Sequence, residues 1–388
     1  MIIRNVHIND YEGLQSITVS NEKIKNIGST EVVTDDDEDK QSIIFDNAIA
    51  FPGLINSHDH LDFNLFPRLG NQVYKSYMEW GTDIHRQNKD IINSILRIPK
   101  ELRIEWGVYK NLLNGVTTVV QHGERFNIEK PVINIFQDCY SLHSVGLEKH
   151  WELRLNRPFV KNQPFVIHIG EGTDVAAFKE INKLIKWNLF KRNLIAIHGV
   201  AMNPEQAKSF KALVWCPDSN FFLLGTTANI RELKKSTKII FGTDSTVSAD
   251  WNIWEQIRLA RKTGLLTDQE LFDSLTCLPA SVWGFDDRGI LSGGKIADIV
   301  VAKMKGKKDS MDSFFKLNPE DILLVVRKGK IILFDEMLYA QLNRNIILRE
   351  FGRIFINNIG KYVKGNLTEL TSQIKKYPIE IKLPIEIE

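Results

Sequence analysis

Residues 51–63 read FPGLINSHDHLDF, an apolar run that ends in a histidine, an aspartate and a histidine. Side chains alternate faces along a strand, so His58 and His60 point the same way, about 6.5–7 Å apart at Cα, while Asp59 points oppositely. Two imidazoles at that spacing can grip one metal ion, although an isolated HxH is as readily a pair of packing or surface histidines. Other apolar runs close in the same manner. PFVIHIGEG (164–172) carries His168 and Glu171, NLIAIHGV (193–200) carries His198, KIIFGTDS (238–245) carries Asp244, and TTVVQHG (117–123) carries His122. Three neutral nitrogens and a carboxylate with one open position describe a catalytic zinc-type site, which polarises substrate and lowers the pKa of bound water to about 7.

Such a site needs an architecture that gathers strand ends from distant sequence. Between residues 50 and 285, short runs rich in β-branched residues alternate with helical patterns: Phe178, Ile181 and Ile185 form one stripe, Asn203-Pro204-Glu205-Gln206 starts a helix, and Thr267 with Glu270 makes a capping box. The strand runs are apolar throughout, as in parallel strands covered on both faces. Because polar residues mark their ends, including Asp218 in ALVWCPDS (212–219), a (β/α)8 TIM-type barrel, whose mouth collects all those ends, fits better than an open sheet. Only about 45 residues separate TTVVQHG from HIGEG where two βα units want roughly 60, so the barrel is expected to be distorted around strands 3 and 4. The flanks, with short strands and hairpin turns, are expected to pair into a small β-sandwich built from both termini. The expected division is 1–48 and 289–335 for the sandwich, 49–288 for the barrel, and 336–388 for a helical tail with a terminal edge strand. The acidic cluster Asp35 to Asp39 suits a solvated loop.

Composition narrows the partners. The 388 residues carry 50 Lys+Arg against 48 Asp+Glu, a net +2 that offers no field for nucleic acid or a membrane surface. The basic stretches Lys234-Lys235 and Lys305 to Lys308 are short. Three cysteines without CxxC spacing suggest neither disulfides nor thiolate zinc, and the opening MIIRNVHIND lacks a signal-peptide core. A cytoplasmic protein with a small-molecule substrate is expected, and a homo-oligomer stays open.

The ordered strings PGLINSHDH, LLNGVTTVV, HIGE, AIHGVAM, WCPDSNFFLLG, FGTDS and GILSGGKIADIVV resemble the amidohydrolase superfamily, specifically its aminohydrolase branch of cytosine, guanine and adenosine-derivative deaminases and triazine hydrolases. The resemblance implies one divalent metal ion, zinc before iron, held by His58, His60, His168 and Asp244. It also implies that Glu171 shuttles protons and that His198 contacts the hydrolytic water. Deamination of a small nitrogen heterocycle by metal-bound hydroxide needs a base, a proton carrier and oxyanion stabilisation, which Asp244, Glu171 and His198 can supply. Two other outcomes remain: opening of a cyclic amide or amidine of the imidazolone type, or an inactive barrel used for binding. Binuclear relatives bridge two metals with a carboxylated lysine on the fourth strand; here only Lys149 and Lys161 lie near that position, both suited to the surface, which favours one metal. Substrate contacts are expected from Arg68, to a carboxylate or phosphate, from Trp80, stacking on a flat ring, and from His122. Asn220 is placed to order the seventh loop.

Overall fold

The computed structural model describes residues 1–30, 41–158, 163–306, 310–343, 346–379 and 381–387. The Asp35 to Asp39 cluster, Lys161, Lys307 and Lys308 lie outside the described residues. The fold is mixed α/β. Eight strands pair only in parallel, in two sheets. Leu54–Asp59, Val116–Gln121 and Asn134–Phe136 form one. Tyr140–Ser144, Phe165–Ile169, Leu194–His198, Ala212–Trp215 and Lys238–Phe241 form the other.

Alternation explains why these strands read as apolar throughout. Ile55 and Val120 from the first sheet share one core cluster with Val166, Ile195, Val214 and Ile240 from the second. Their sequence neighbours Leu54, Val119, Phe165, Leu194, Leu213 and Ile239 turn outward into the cluster shared with the helices. Each strand therefore buries both faces, which is the condition of parallel sheets. The Asp244 N–H donates to the His58 carbonyl at 3.1 Å, so the last strand's end meets the first's. The third strand has three residues and the fourth five.

The flanking segments form one continuous ten-stranded sheet rather than two separately bonded layers. Strand Ser42–Pro52 joins the termini, pairing in parallel with Ile2–Ile8 and antiparallel with Ile299–Lys303. The helical reading of the 336–388 tail is corrected over 336–365: among the described residues there, helical turns cover only Glu336–Leu338 and Tyr339–Leu342, with a further short turn at Leu348–Glu350. Phe351–Ile356 and Ile359–Lys364 are an antiparallel hairpin. Asn357 and Asn358 both take positive φ (47° and 62°), the backbone of a tight two-residue turn that asparagine tolerates. The final strand, Glu386–Ile387, lies at the sheet edge. Asn203 and Thr267 cap their helices through complete capping boxes. Among the described residues no helix is long and apolar enough to cross a membrane.

One helix bears directly on the site. Lys100–Leu113 packs so closely on the segment after His60 that a Cβ at Gly107 would sit 2.3 Å from the Leu61 carbonyl oxygen. Backbone cannot yield as a flexible side chain can, so Gly107→Ala is expected to cost about 1–3 kcal/mol. Urea unfolding checks this; a change below about 0.5 kcal/mol would show that the contact relaxes freely.

Candidate metal centre and active site

His58, His60, His168, His198 and Asp244 converge at the strand ends. His168 Nε2 lies 3.3 Å from both His58 Nε2 and His60 Nε2. Asp244 Oδ1 faces His58 Nε2 at 3.6 Å and His60 Nε2 at 3.9 Å, and Oδ2 faces His198 Nε2 at 4.0 Å. Two donor groups are close enough to share an ion, His58 with His60 and His168, and His58 with His198 and Asp244. Nitrogen ligands about 2.0–2.1 Å from a tetrahedral ion stand about 3.4 Å apart, which is the spacing present.

Tautomers strengthen the fit. His168 Nδ1–H donates to the His143 carbonyl at 2.9 Å, so its Nε2 turns a bare lone pair toward the other rings. His198 Nδ1–H donates to Asn220 Oδ1 at 2.9 Å, while Asn220 Nδ2 donates to Thr227 Oγ1 at 3.1 Å. Asn220 thus orients the sixth-strand histidine as well as its own loop. Burial holds His60 and His198 down to about 4 and His168 well below its ordinary value, so the imidazoles are neutral, as ligands must be.

The backbone at two of these residues is unusual. His198 and Asp244 have φ of 68° and 58°, in the left-handed region that side chains rarely adopt, where strain collects at functional sites. The Asp244 carboxylate is further fixed by hydroxyls, with Ser219 and Ser248 donating to Oδ2 at 2.9 and 3.0 Å and the Ser245 N–H to Oδ1 at 2.8 Å. The serines were not singled out from sequence, since nothing distinguishes them from loop serines.

The donors open into a cavity of about 390 Å³ that includes Glu171 and Trp80. Glu171 Oε1 lies 3.5 Å from His198 Nε2. Burial, then the carboxylates of Asp244 and Glu180, push Glu171 well above the usual carboxylate range. Burial is the largest single effect on Asp244 and pushes it up, but the surrounding histidines, His58 first and then His198 and His60, together hold it well below that range. The two neighbouring carboxyls are thus pushed in opposite directions, the separation that divides acid from base. Trp80 has its Nε1–H tied to the Leu69 carbonyl at 2.7 Å, leaving the ring as cavity wall.

Two expected substrate contacts are placed elsewhere. Arg68 pairs with Asp218, whose burial seeks a counter-charge, and lines a separate cleft of about 790 Å³ with Pro378, Ile379 and residues 381–384. That cleft is larger but holds none of the converging histidines. Asp218 itself stands in the first turn of helix Pro217–Leu224, not at a strand end. His122 is 2% exposed and does not line the site cavity; its ring packs 4.5 Å from that of His168, and neither nitrogen has a hydrogen-bond partner among the described residues. His143, which closes the fourth strand, does line the cavity. The pattern of a polar residue ending a strand run could have found it, had YSLHS been recognised as a strand. Lys149 is exposed.

Behind Glu171, the Gly170 N–H donates to Glu180 at 2.7 Å. Burial, with the charge of Asp174, raises Glu180 from 4.5 to about 7 despite that hydrogen bond. The folded state therefore holds this proton more tightly than the unfolded chain. Its contribution to stability is complete below about pH 4.5 and is lost as pH rises through about 7. Glu180→Gln keeps an acceptor for Gly170 and removes the titration, so the variant should gain about 1–3 kcal/mol on the parent between pH 5 and 8. Paired denaturant titrations at both pH values check it; a pH-independent difference would contradict it.

Comparisons with known proteins agree with this geometry. The model of the amidohydrolase family matches residues 160–332. The 5'-deoxyadenosine deaminase of Methanocaldococcus jannaschii is 38% identical over 410 residues, covering 87% of this chain and 96% of that protein. The 5-methylthioadenosine/S-adenosylhomocysteine deaminase of Caldicellulosiruptor saccharolyticus is 24% identical, covering 80% and 86%. Among solved structures, an adenosine deaminase from Xanthomonas campestris with bound zinc superposes with a TM-score of 0.71 at 16% identity, covering 97% of each chain, a likeness of fold. With the histidines and carboxylates gathered at the strand ends and a relative matched along nearly its whole length, the chain belongs to the amidohydrolase family.

Proposed function

We propose that this chain removes the exocyclic amino group from the purine of an adenosine-type nucleoside that is uncharged at its 5' end. It is an aminohydrolase, hydrolysing a C–N bond of a small nitrogen heterocycle. The two parallel sheets are the arcs of one (β/α)8 barrel, joined between the first and last strands and weakened at the short third and fourth.

The observation that carries the chemistry is the pair of carboxyl groups, Glu171 and Asp244, set beside one histidine cluster and pushed in opposite directions by it and by burial. His58, His60, His168 and Asp244 are the ligands of one divalent ion, zinc by the chemistry of a nitrogen-rich donor set, which when bound would polarise water and bring its pKa toward neutrality. Asp244 accepts a proton from the attacking water. Glu171, pushed toward its protonated form, gives its proton to the ring nitrogen, then takes the hydroxyl proton of the addition product to the departing amine, and the proton held by Asp244 restores Glu171. Water's oxygen bonds to the ring carbon, the exocyclic C–N bond breaks, and ammonia leaves. His198, with Nδ1–H committed to Asn220, presents an accepting Nε2. In that neutral form it orients the water rather than donating to an oxyanion, which alters the role expected from sequence.

The substrate's far end follows from the wall. Phe63, Phe66, Leu69, Ile84 and Leu96 are among the residues lining the cavity, and no lysine or arginine is among the described residues there. A 5'-phosphate or carboxylate would lose hydration without gaining a counter-ion, whereas a 5'-deoxy or 5'-thioether group gains apolar contact.

The test is ammonia release from a panel of 5'-deoxyadenosine, methylthioadenosine, S-adenosylhomocysteine, adenosine monophosphate, free bases, pterins and triazines. Neutral adenosine-type nucleosides should exceed the monophosphate by at least about tenfold in kcat/KM. Turnover confined to bases or triazines would overturn the substrate assignment. Glu171→Gln should retain metal and lose about 10²-fold or more in kcat, whereas His58→Ala should lose metal and turnover together. A fully active, metal-loaded Glu171→Gln protein would sink the shuttle.

A further inference from the structure

Beside the end of the first strand lies a buried polar layer that takes no part in the steps above. At its centre is Lys110, 2% exposed, on the helix Lys100–Leu113. Its Nζ lies 3.0 Å from Asp59 Oδ2, donates to Asn64 Oδ1 at 2.9 Å, and reaches Thr243 Oγ1 and the Asp244 carbonyl at 3.5 Å each. Asp59, fully buried, also accepts from Asn111 Nδ2 at 2.7 Å and Asn64 Nδ2 at 2.9 Å. Asn56 completes the layer. Its Oδ1 accepts from the backbone N–H groups of Thr243 at 3.0 Å and His58 at 3.3 Å, and its Nδ2 donates to Thr243 Oγ1 at 2.8 Å.

Resting on the metal assignment made above, we propose that Lys110 is a positioning residue of the metal centre. Through Asp59, Asn64 and Thr243 it locks the end of the first strand to the Asp244 turn, so that donors from the two ends of the barrel sequence are registered before an ion arrives. The strain at Asp244 points the same way. A left-handed backbone at a non-glycine residue persists only where its surroundings over-determine it. The Asp244 peptide is held on both sides, by its N–H on the His58 carbonyl and by its own carbonyl, which accepts from Thr243 Oγ1 at 2.9 Å and faces Lys110. A buried ion pair offers little net stability over a well-packed apolar pair. What it supplies that an apolar pair cannot is directional fixation of several carbonyl and hydroxyl groups at once.

The competing explanation is that Lys110 merely neutralises a buried Asp59. Lys110→Met, Asp59→Asn and the pair Lys110→Met/Asp59→Asn, made in the full chain, separate the two. Each would be measured for unfolding midpoint, for zinc affinity by competition with a chromophoric chelator, and for kcat and KM. Lys110→Met alone leaves a buried carboxylate unpaired and should lower the midpoint sharply. The double variant is charge-balanced and should regain most of that midpoint. Under the positioning role it still binds zinc at least tenfold more weakly, with kcat down at least tenfold and KM within about threefold. Recovery of zinc affinity and kcat to within twofold of the parent would overturn the proposal. Thr243→Val, isosteric and uncharged, carries the same test should the double variant not fold: unchanged zinc affinity there rejects the proposal, and a tenfold loss supports it. Full zinc affinity in His58→Ala would instead overturn the metal assignment, whatever the Lys110 variants do.

Discussion

Imidazole nitrogens and a carboxylate, packed within about 4 Å of one another away from water, form an arrangement that a folded chain cannot hold cheaply. Each lone pair repels the next, and burial removes the solvent that would satisfy them. A divalent cation resolves that conflict, and the surrounding structure can be understood as what keeps the donors in place. Strands buried on both faces fix where the side chains start. Tautomer-setting partners fix which nitrogen faces inward: the His143 carbonyl for His168, and Asn220 for His198. The hydroxyls of Ser219 and Ser248 then fix the Asp244 carboxylate from the far side.

The same burial that makes the cluster costly sets its acid–base division. Burial and then the carboxylates of Asp244 and Glu180 push Glu171 up, whereas the histidines around Asp244 pull it down against its own burial. The opposite shifts come from one environment acting through different neighbours. A protonated acid and an ionised base in one cavity are what hydrolysis of an amidine-like bond requires at neutral pH.

Most of this chemistry was legible in the sequence because a polar residue at the end of an apolar run contradicts its surroundings, and such contradictions mark function. Legibility failed where no contradiction exists. Lys110 sits in KELRIEWGVYKNLL, where a lysine reads as a helix's solvent face, yet the close approach at Gly107 turns that face inward. Arg68 and Asp218 looked available separately because pairing across 150 residues of sequence leaves no local trace. The hairpin at 351–364 was read as helix since Asn357-Asn358 is a weaker turn signal than Asn-Gly.

The shortened third and fourth strands have a consequence for specificity. With so little chain between residues 122 and 164, that stretch contributes only His143 and Leu147 to the cavity among the described residues. The rest of the wall must then be built from elsewhere, and much of it comes from the segment after the first of the eight strands: Phe63, Phe66, Leu69, Tyr77, Trp80 and helical residues up to Leu96. A helical wall of apolar side chains has few fixed polar groups to read hydroxyls, so discrimination there comes from volume and hydration more than from hydrogen-bond pairing. Apolar discrimination is worth only about 1–3 kcal/mol per methylene-sized difference. Such a wall separates charged from neutral groups sharply, and neutral ones from each other only modestly.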